Sequence, residues 1–480
     1  MMQSGRSLFP RYRFLLAVLV SGCGFIRPTE SLSRVCSPTF SESSKAIVTS
    51  LADESQPGIR QASFQALPLD GPSKDKASDA DANPFLETKE LSIELLIDQV
   101  LARNPSLAQM TAAWQAASAR YPQVTSLEDP MFGVQVGPAA FGSNRVEGAY
   151  RLEISQKLPF PGKLALRGDK ALAEADAAGQ DVEDIRLQLV EKTRTAFYDY
   201  YLAERGLEVN QESLRLLEAF RKEAQSLYEN NRAIQQDVLQ ARVEIGRERE
   251  RRLALEESRK ITVARINTLL HLAPESSLPP PPNKLEPGGE APEIKTLRAA
   301  ALARRPELRG LADQIRAEQA SLALTQKDFR PDFEVMAAYD SFWQERELRP
   351  QVGVRLNMPI YRDKRYAAVA EAQAKIAQRQ AELARRTDQV NFEVQEAYEK
   401  LRKSEQSVRL YRDVILPDSE KNVKAARAAY ESGKITALGR IEAERDFVML
   451  RDRYFETLAD YFRRRATLDR AIGEPATPTR

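Results

Sequence analysis

Leu101-Ala102-Arg103-Asn104-Pro105-Ser106-Leu107 returns as Leu302-Ala303-Arg304-Arg305-Pro306-Glu307-Leu308. Working outward from this pair, Pro159 returns as Pro359 and Tyr198 as Tyr398. Tyr228 with Ala241 returns as Tyr430 with Ala443. The offsets are 201, 200, 200, 202 and 202, so two halves share one register over most of their length. Solenoid units repeat at about 20–50 residues, far below this spacing. The chain therefore reads as an internally duplicated domain.

Each half changes period in the same place. Met131-Phe132-Gly133-Val134-Gln135-Val136 alternates, as does Tyr150 through Leu158, and the Gly- and Asn-containing stretch 137–148 reads as a hairpin loop between them. Phe132, Val134 and Val136 fall on one face of their strand; Tyr150, Leu152 and Ile154 do likewise, with Arg151, Glu153 and Ser155 opposite. In the second half Phe333, Val335, Ala337 and Tyr339 alternate with Asp332, Glu334, Met336 and Ala338. Val352, Val354 and Leu356 alternate with Gln351, Gly353, Arg355 and Asn357. Four strands follow, each apolar on one face only.

The rest is helical in pattern. A first helix begins near Leu91 and ends around Asn104-Pro105, and a second runs from Leu107 to about Tyr121, stopping at Pro122. No proline occurs between Pro161 and Pro274. A stretch that long folds back on itself, with the best turn at Tyr228-Glu229-Asn230-Asn231-Arg232. Each arm would hold about 60 residues and span roughly 90 Å at 1.5 Å per residue. Val390, Val394, Ala397, Leu401, Ser404, Val408, Tyr411 and Ile415 keep the 4-3 spacing of a coiled-coil seam. Pro417 predicts a kink and Gly433 the turn back, with Phe447, Leu450, Tyr454, Leu458, Tyr461, Leu468 and Ile472 on the returning arm. Pro274 to Pro292 reads as an extended strap between the halves.

Composition narrows the function. Lys+Arg 71 against Asp+Glu 69 leaves a formal +2, so no bulk field draws nucleic acid. One histidine, His271, and two cysteines, Cys23 and Cys36, rule out a Cys/His metal cluster and a disulfide framework. His271 precedes Pro274 at the end of a helical stretch and reads as a surface residue of a last turn. No nucleophile motif, phosphate loop or cofactor motif is present, so the chain reads as a non-enzyme that needs no cofactor.

The N-terminus reads as an export signal. Arg6, Arg11 and Arg13 precede the short apolar run Phe14–Val20. Val20-Ser21-Gly22-Cys23 resembles a bacterial lipobox, which makes residues 1–22 a lipoprotein signal peptide and Cys23 the acylated first residue. Residues 23–90, rich in Ser, Asp, Ala and Pro, then form a flexible lipid-anchored segment. No later stretch approaches the ~18–20 apolar residues of a transmembrane helix. A sheet with one apolar face can serve in lipid as barrel staves, apolar face outward. Four strands cannot close a membrane barrel, whose smallest forms have about eight, so copies must combine.

The helix–strand–strand–helix order repeated in register, the run Gln156-Lys157-Leu158-Pro159-Phe160-Pro161-Gly162-Lys163 and Ile415-Leu416-Pro417 together resemble outer-membrane efflux proteins of the TolC type. The Pro-Gly-Lys run with a lipobox is similar to the heavy-metal CusC/CzcC branch. The resemblance implies a mostly α fold with a small β part. Long helical hairpins would form a trimeric α-barrel, and four strands per chain would complete a twelve-stranded barrel. It places one efflux repeat at 91–273, a Pro-rich linker at 274–292 and a second repeat at 293–473. It implies a passive homotrimeric exit duct in the outer membrane for metal cations or small toxic compounds. An inner-membrane pump of the RND type and a periplasmic adaptor would feed it. Phe132, Val134, Leu152, Ile154, Phe333, Val335, Val352 and Val354 would face outer-membrane lipid.

The tips would dock the adaptor through Asn230, Asn231, Arg232, Asp237, Gly433 and Lys434. The first tip keeps Asp237-Val238-Leu239-Gln240-Ala241 but puts Asn230-Asn231 where glycine is usual, asparagine being able to take a left-handed turn. The second keeps Ser432-Gly433-Lys434 and reads Gly439-Arg440-Ile441-Glu442-Ala443. Glu442 matches one of two carboxylates that the family places at the pore constriction; Gly439 stands for the other. Arg440, next to it, argues against strong cation selectivity. Met131 and Met336 fall on the lumenal face, where a soft-metal role is conceivable but packing is the commoner use of methionine. A periplasmic coiled-coil scaffold is the alternative reading, though it gives no reason for four matched strands.

Overall fold

The computed structural model describes residues 84–85, 88–138, 150–230, 234–288 and 292–474. Cys23, Cys36, the leader, the hairpin loop 139–149, Asn231 and Arg232 lie outside these residues.

The duplicated heptapeptide is a helix joint in both halves. Helix α1 (Ile93–Arg103) ends where α2 (Pro105–Ser118) begins, and α6 (Ile294–Arg304) ends where α7 (Pro306–Lys327) begins. Pro105 and Pro306 occupy the first helical position, where a missing N–H costs nothing. Asn104 caps α2 by accepting from Ser106 N at 2.9 Å and donates to Leu269 O at 2.9 Å. Its counterpart Arg305 is buried and bonds Glu393 at 2.5 Å.

Helix α2 breaks at Ala119, and α3 (Arg120–Thr125) carries the chain through Pro122. The predicted stop at Pro122 is thus not observed, because proline in a first turn forfeits no intrahelical bond. Strands β1 (Met131–Val136) and β2 (Tyr150–Leu158) follow, then α4 (Lys163–Glu229) and α5 (Gln235–Leu269). The two arms are unequal: α4 has 67 residues and α5 only 35. Beyond Leu269 the strap takes over. Leu91 N donates to Pro280 O at 2.9 Å, and the hydroxyls of Tyr200 and Tyr461 donate to Pro279 O and Gly288 O. The strap thereby satisfies these carbonyls on one backbone N–H and two tyrosine hydroxyls rather than in a helix. His271 ends α5 with φ 56°, a left-handed residue whose neighbour Leu272 N reaches back to Asn267 O at 2.9 Å.

The second half adds β3 (Phe333–Asp340), β4 (Pro350–Leu356), α8 (Arg362–Leu410), α9 (Leu416–Glu431) and α10 (Ala437–Ala471). Between α8 and α9 the predicted kink is a π turn, Tyr411–Ile415, in which Leu416 N bonds Tyr411 O. Pro417 has no N–H for the Asp413 carbonyl, and the extra residue absorbs the mismatch. Val390, Val394, Ala397, Leu401, Ser404 and Val408 are buried along the expected seam. Tyr411 and Ile415, in the wider turn, are only part-buried.

All four strands form one antiparallel sheet in the order β1-β2-β3-β4. The two hairpins meet at the β2–β3 seam, where Leu158 pairs with Phe333 and Arg151 with Asp340. The helices build three cores. One joins α1, α4 and α5 around Phe197, Tyr200 and Ile266. The second joins α6, α7, α8 and α10 around Val390, Leu401 and Tyr461. A third, small one closes the tips. No helix among the described residues is long and apolar enough to cross a membrane.

Candidate functional site

The sheet has two unlike faces. Cross-strand register aligns Phe132, Ile154, Ala337 and Val352 in one row, and Val134, Leu152 and Tyr339 in another. Phe333 sits beside Leu158 and Leu356, and Val335 beside Gln156 and Val354. All of the apolar strand residues singled out from sequence therefore share one face. Among the described residues no helix covers it: Phe132 is 69% exposed, Val354 66% and Val352 91%. About 25 cal/mol per Å² of apolar area is at stake when such a face stays in water, so a bare face this size marks an interaction surface. At the end nearest the hairpin loop, Tyr150 and Tyr339 stack with ring centres 6.3 Å apart.

The opposite face is polar and internally paired. Arg151 bonds Glu153 at 3.1 Å, and Arg355 bonds Glu334 at 3.0 Å. Met131 and Met336 share this face. The Met336 thioether lies over Gly353, 3.3 Å from where a side-chain carbon would stand, which is a packing contact. Among the described residues, strands β1 and β4 each leave one edge without a partner.

The helices end at two tips. Gly433, at φ 70°, follows α9; its N–H bonds Tyr430 O at 2.9 Å and Lys434 N bonds Ala429 O at 2.8 Å. Any side chain at that φ is strained, so glycine is the residue for this stop. Asn230 has φ −93°, and its side chain donates to Ser226 O at 2.8 Å, capping α4 from outside; Asn231, the other residue of the pair, lies outside the described residues. Asp237 lies in the first turn of α5, where the helix dipole favours a carboxylate. Partial burial nonetheless nudges its pKa up. Lys434 and Glu442 are exposed.

Arg440 corrects the expectation placed on it. Its guanidinium is buried between the rings of Phe220 and Tyr430, 4.8 and 5.4 Å from their centres. It bonds Glu223 at 2.8 Å and Glu444 at 3.3 Å. The charge is neutralised inside the tip by these two carboxylates. Phe220 and Tyr430 belong to an apolar cluster with Ala224, Val238, Ala241 and Ile441, which draws residues of both repeats together. Burial also pushes the Tyr430 phenol up, and among the described residues its hydroxyl has no hydrogen-bond partner. The sequence carried no signal for this cluster, since Glu223 and Arg440 stand 217 residues apart.

The sequence model of the outer membrane efflux protein family matches residues 96–270 and 297–474. The chain belongs to that family. It is an outer-membrane efflux channel with the TolC-like arrangement of helices and strands. Among solved structures it is similar to CusC, described through its folding and transmembrane channel formation. Identity is 16%, with 82% of this chain and 95% of that one covered and a TM-score of 0.69. It is also similar to the outer membrane protein VceC of Vibrio cholerae, at 16% identity, 80% and 97% coverage and a TM-score of 0.66. The CmeC outer membrane channel of Campylobacter jejuni follows at 13% identity, 84% and 93% coverage and a TM-score of 0.66. No curated protein matches the chain in sequence.

Proposed function

We propose that three copies of this chain join their sheets into a twelve-stranded barrel and their helices into a periplasmic tube. The assembly is a passive exit duct. The observation that carries this reading is the sheet: its apolar face is bare, its polar face is paired, and both edges are open. Four strands reach the size of a closed membrane barrel only with further copies. In lipid every edge N–H and C=O needs a partner, and a closed ring supplies it. Phe132, Val134, Leu152, Ile154, Phe333, Val335, Val352 and Val354 then face lipid, and Arg151, Glu153, Gln351 and Arg355 face the lumen.

The chain holds no motif for nucleotide hydrolysis, so work comes from partners. An RND-type inner-membrane pump and a periplasmic adaptor fit, the adaptor docking at Asn230, Asn231, Arg232, Asp237, Gly433 and Lys434. Small toxic compounds or heavy-metal cations are the cargo class. Planar bilayers doped with the purified protein should show discrete conductance steps; a silent bilayer from folded trimer sinks the duct. Glu442 is assigned to the constriction, and with Arg440 turned inward it stands as an unopposed carboxylate. Glu442→Gln should therefore lower cation selectivity, read as a smaller reversal potential across a salt gradient. An unchanged potential removes Glu442 from the pore.

Reversing the tip charges should uncouple the duct from its partner. Arg232→Glu with Lys434→Glu is expected to abolish export and adaptor cross-linking while trimers persist in the outer membrane. Survival of both activities moves the docking surface elsewhere on the hairpins. Cys23 is assigned as the acylated anchor. Two or more acyl chains, at about 0.8 kcal/mol per buried CH₂, hold stably. A palmitate analogue should label the wild type and leave Cys23→Ser unlabelled, and equal labelling of the two refutes the anchor.

A further inference from the structure

Every charge on the four strands lies on the polar face, and the signs balance. Arg151, Glu153 and Lys157 on β2, Glu334 and Asp340 on β3, and Arg355 on β4 are three bases and three acids; β1 carries none. A charge on the opposite face would meet lipid, which accounts for the placement. It does not account for the balance. A water-filled passage tolerates a surplus of one sign, and such surpluses are how rings of Asp or Glu select cations and rings of Lys or Arg select anions.

The strand register sets opposite signs side by side. Lys157, Glu334 and Arg355 share one row in the order base, acid, base. Glu334 holds Arg355 at 3.0 Å, and Glu128, in the segment before β1, lies 3.3 Å from Lys157. Towards the other end of the sheet Arg151 is in register with Asp340, 4.0 Å away, and bonds Glu153 at 3.1 Å. Among the described residues no two charges of one sign are neighbours in register. The β3–β4 connection repeats the balance, with Glu345 and Glu347 against Arg346 and Arg349. Where β2 runs into α4 the next base is clasped in the same manner: Lys163 Nζ lies 2.8 Å from Asp328 and 3.0 Å from Asp332.

We propose that the strand section of the duct does not sort cargo by sign, so that organic anions, organic cations and metal cations pass it alike, and that any sorting by charge is done at the helical tips. The proposal rests on the trimeric duct and adds its charge rule. Repetition of the chain multiplies whatever surplus one copy carries, and on the strands that surplus is zero. A passage lined by one sign concentrates the opposite ion about 10- to 1000-fold. Opposite charges 3.0–4.0 Å apart present a dipole instead. Screening over about 8 Å at physiological ionic strength removes most of its remaining reach.

A single thiol on the polar face reads the local potential without involving the tips. Gln351 lies beside Ala338, between the Lys157–Glu334–Arg355 row and Asp340. Gln351→Cys in a Cys36→Ser background is made in the full-length chain and extracted in detergent. It is treated with a trimethylammonium-ethyl and, separately, a sulfonato-ethyl methanethiosulfonate, and Cys36→Ser alone gives the background rate. The ratio of the two rates should fall within about threefold of that for free mercaptoethanol, because no one-signed field acts there. Glu334→Gln should move the ratio several-fold towards the anionic reagent and Arg355→Gln several-fold towards the cationic one. The two together should return it. A starting ratio about tenfold or more from the free thiol overturns the balance, as does a ratio that neither neutralisation moves. A balanced ratio with monomer by light scattering, or with a silent planar bilayer, overturns the duct instead.

Discussion

Val354→Arg is expected to strip assembled protein from the outer membrane, while Gln351→Arg leaves its recovery close to wild type. The two residues lie three positions apart on β4 and project to opposite faces. Val354 sits beside Val335 on the bare apolar face; Gln351 sits beside Ala338 on the polar one. A cationic side chain at mid-bilayer costs about 2–4 kcal/mol, and in the polar lumen it costs little. That difference corresponds to about 1.5–3 orders of magnitude in the folding or assembly equilibrium. Quantifying trimer after detergent extraction of outer membranes checks it. The reverse ranking would mean that the polar face meets lipid.

Arg440→Ala is expected to loosen both tips at once. Arg440 on α10 bonds Glu223 on α4 and lies between Phe220 of α4 and Tyr430 of α9. Removing it deletes two ring contacts and leaves two carboxylates without their partner. Breaking a buried pair from one side costs about 3–5 kcal/mol. Glu223 keeps access to water, so about 2–4 kcal/mol is the expected local loss. Amide exchange near Gly433 and Val238 should accelerate by about 30- to 1000-fold, with exchange in the sheet unchanged as the internal reference. Arg440→Met retains the packing of the stem and should recover part of the protection. Glu223→Gln should cost less than Arg440→Ala, because Glu444 still holds the guanidinium. Unaltered tip exchange in Arg440→Ala would assign the closure to the apolar cluster alone.

Much of this architecture is local chemistry and therefore legible in order. The heptapeptide joints follow from proline at a first helical position, the strand faces from period-two alternation, and the turn at Gly433 from its left-handed backbone. The seam from Val390 to Val408 follows from 4-3 spacing. Each of these depends on residues within a few positions of one another, where steric and hydrogen-bonding rules act directly.

What remained hidden depends on residues far apart in the chain. The unequal arms arise because the strap of the first repeat finds its hydrogen bonds on Tyr200, Tyr461 and Leu91, none of them adjacent to it. The clasp at Lys163 needs Asp328 and Asp332, and Arg440 needs Glu223, Phe220 and Tyr430. A charged residue read alone is ambiguous between solvent, pore and core, which is why Arg440 reads from sequence as a pore charge. Burial decides among these, because a guanidinium leaves water only where carboxylates and ring faces replace its hydration. The sequence by itself determined the duplication, the elements and the apolar face of each strand. Only the tertiary structure decided which charges are satisfied within the chain and which edges are left open. Satisfaction is a property of partners brought together in space, and the order of residues along one chain does not contain it.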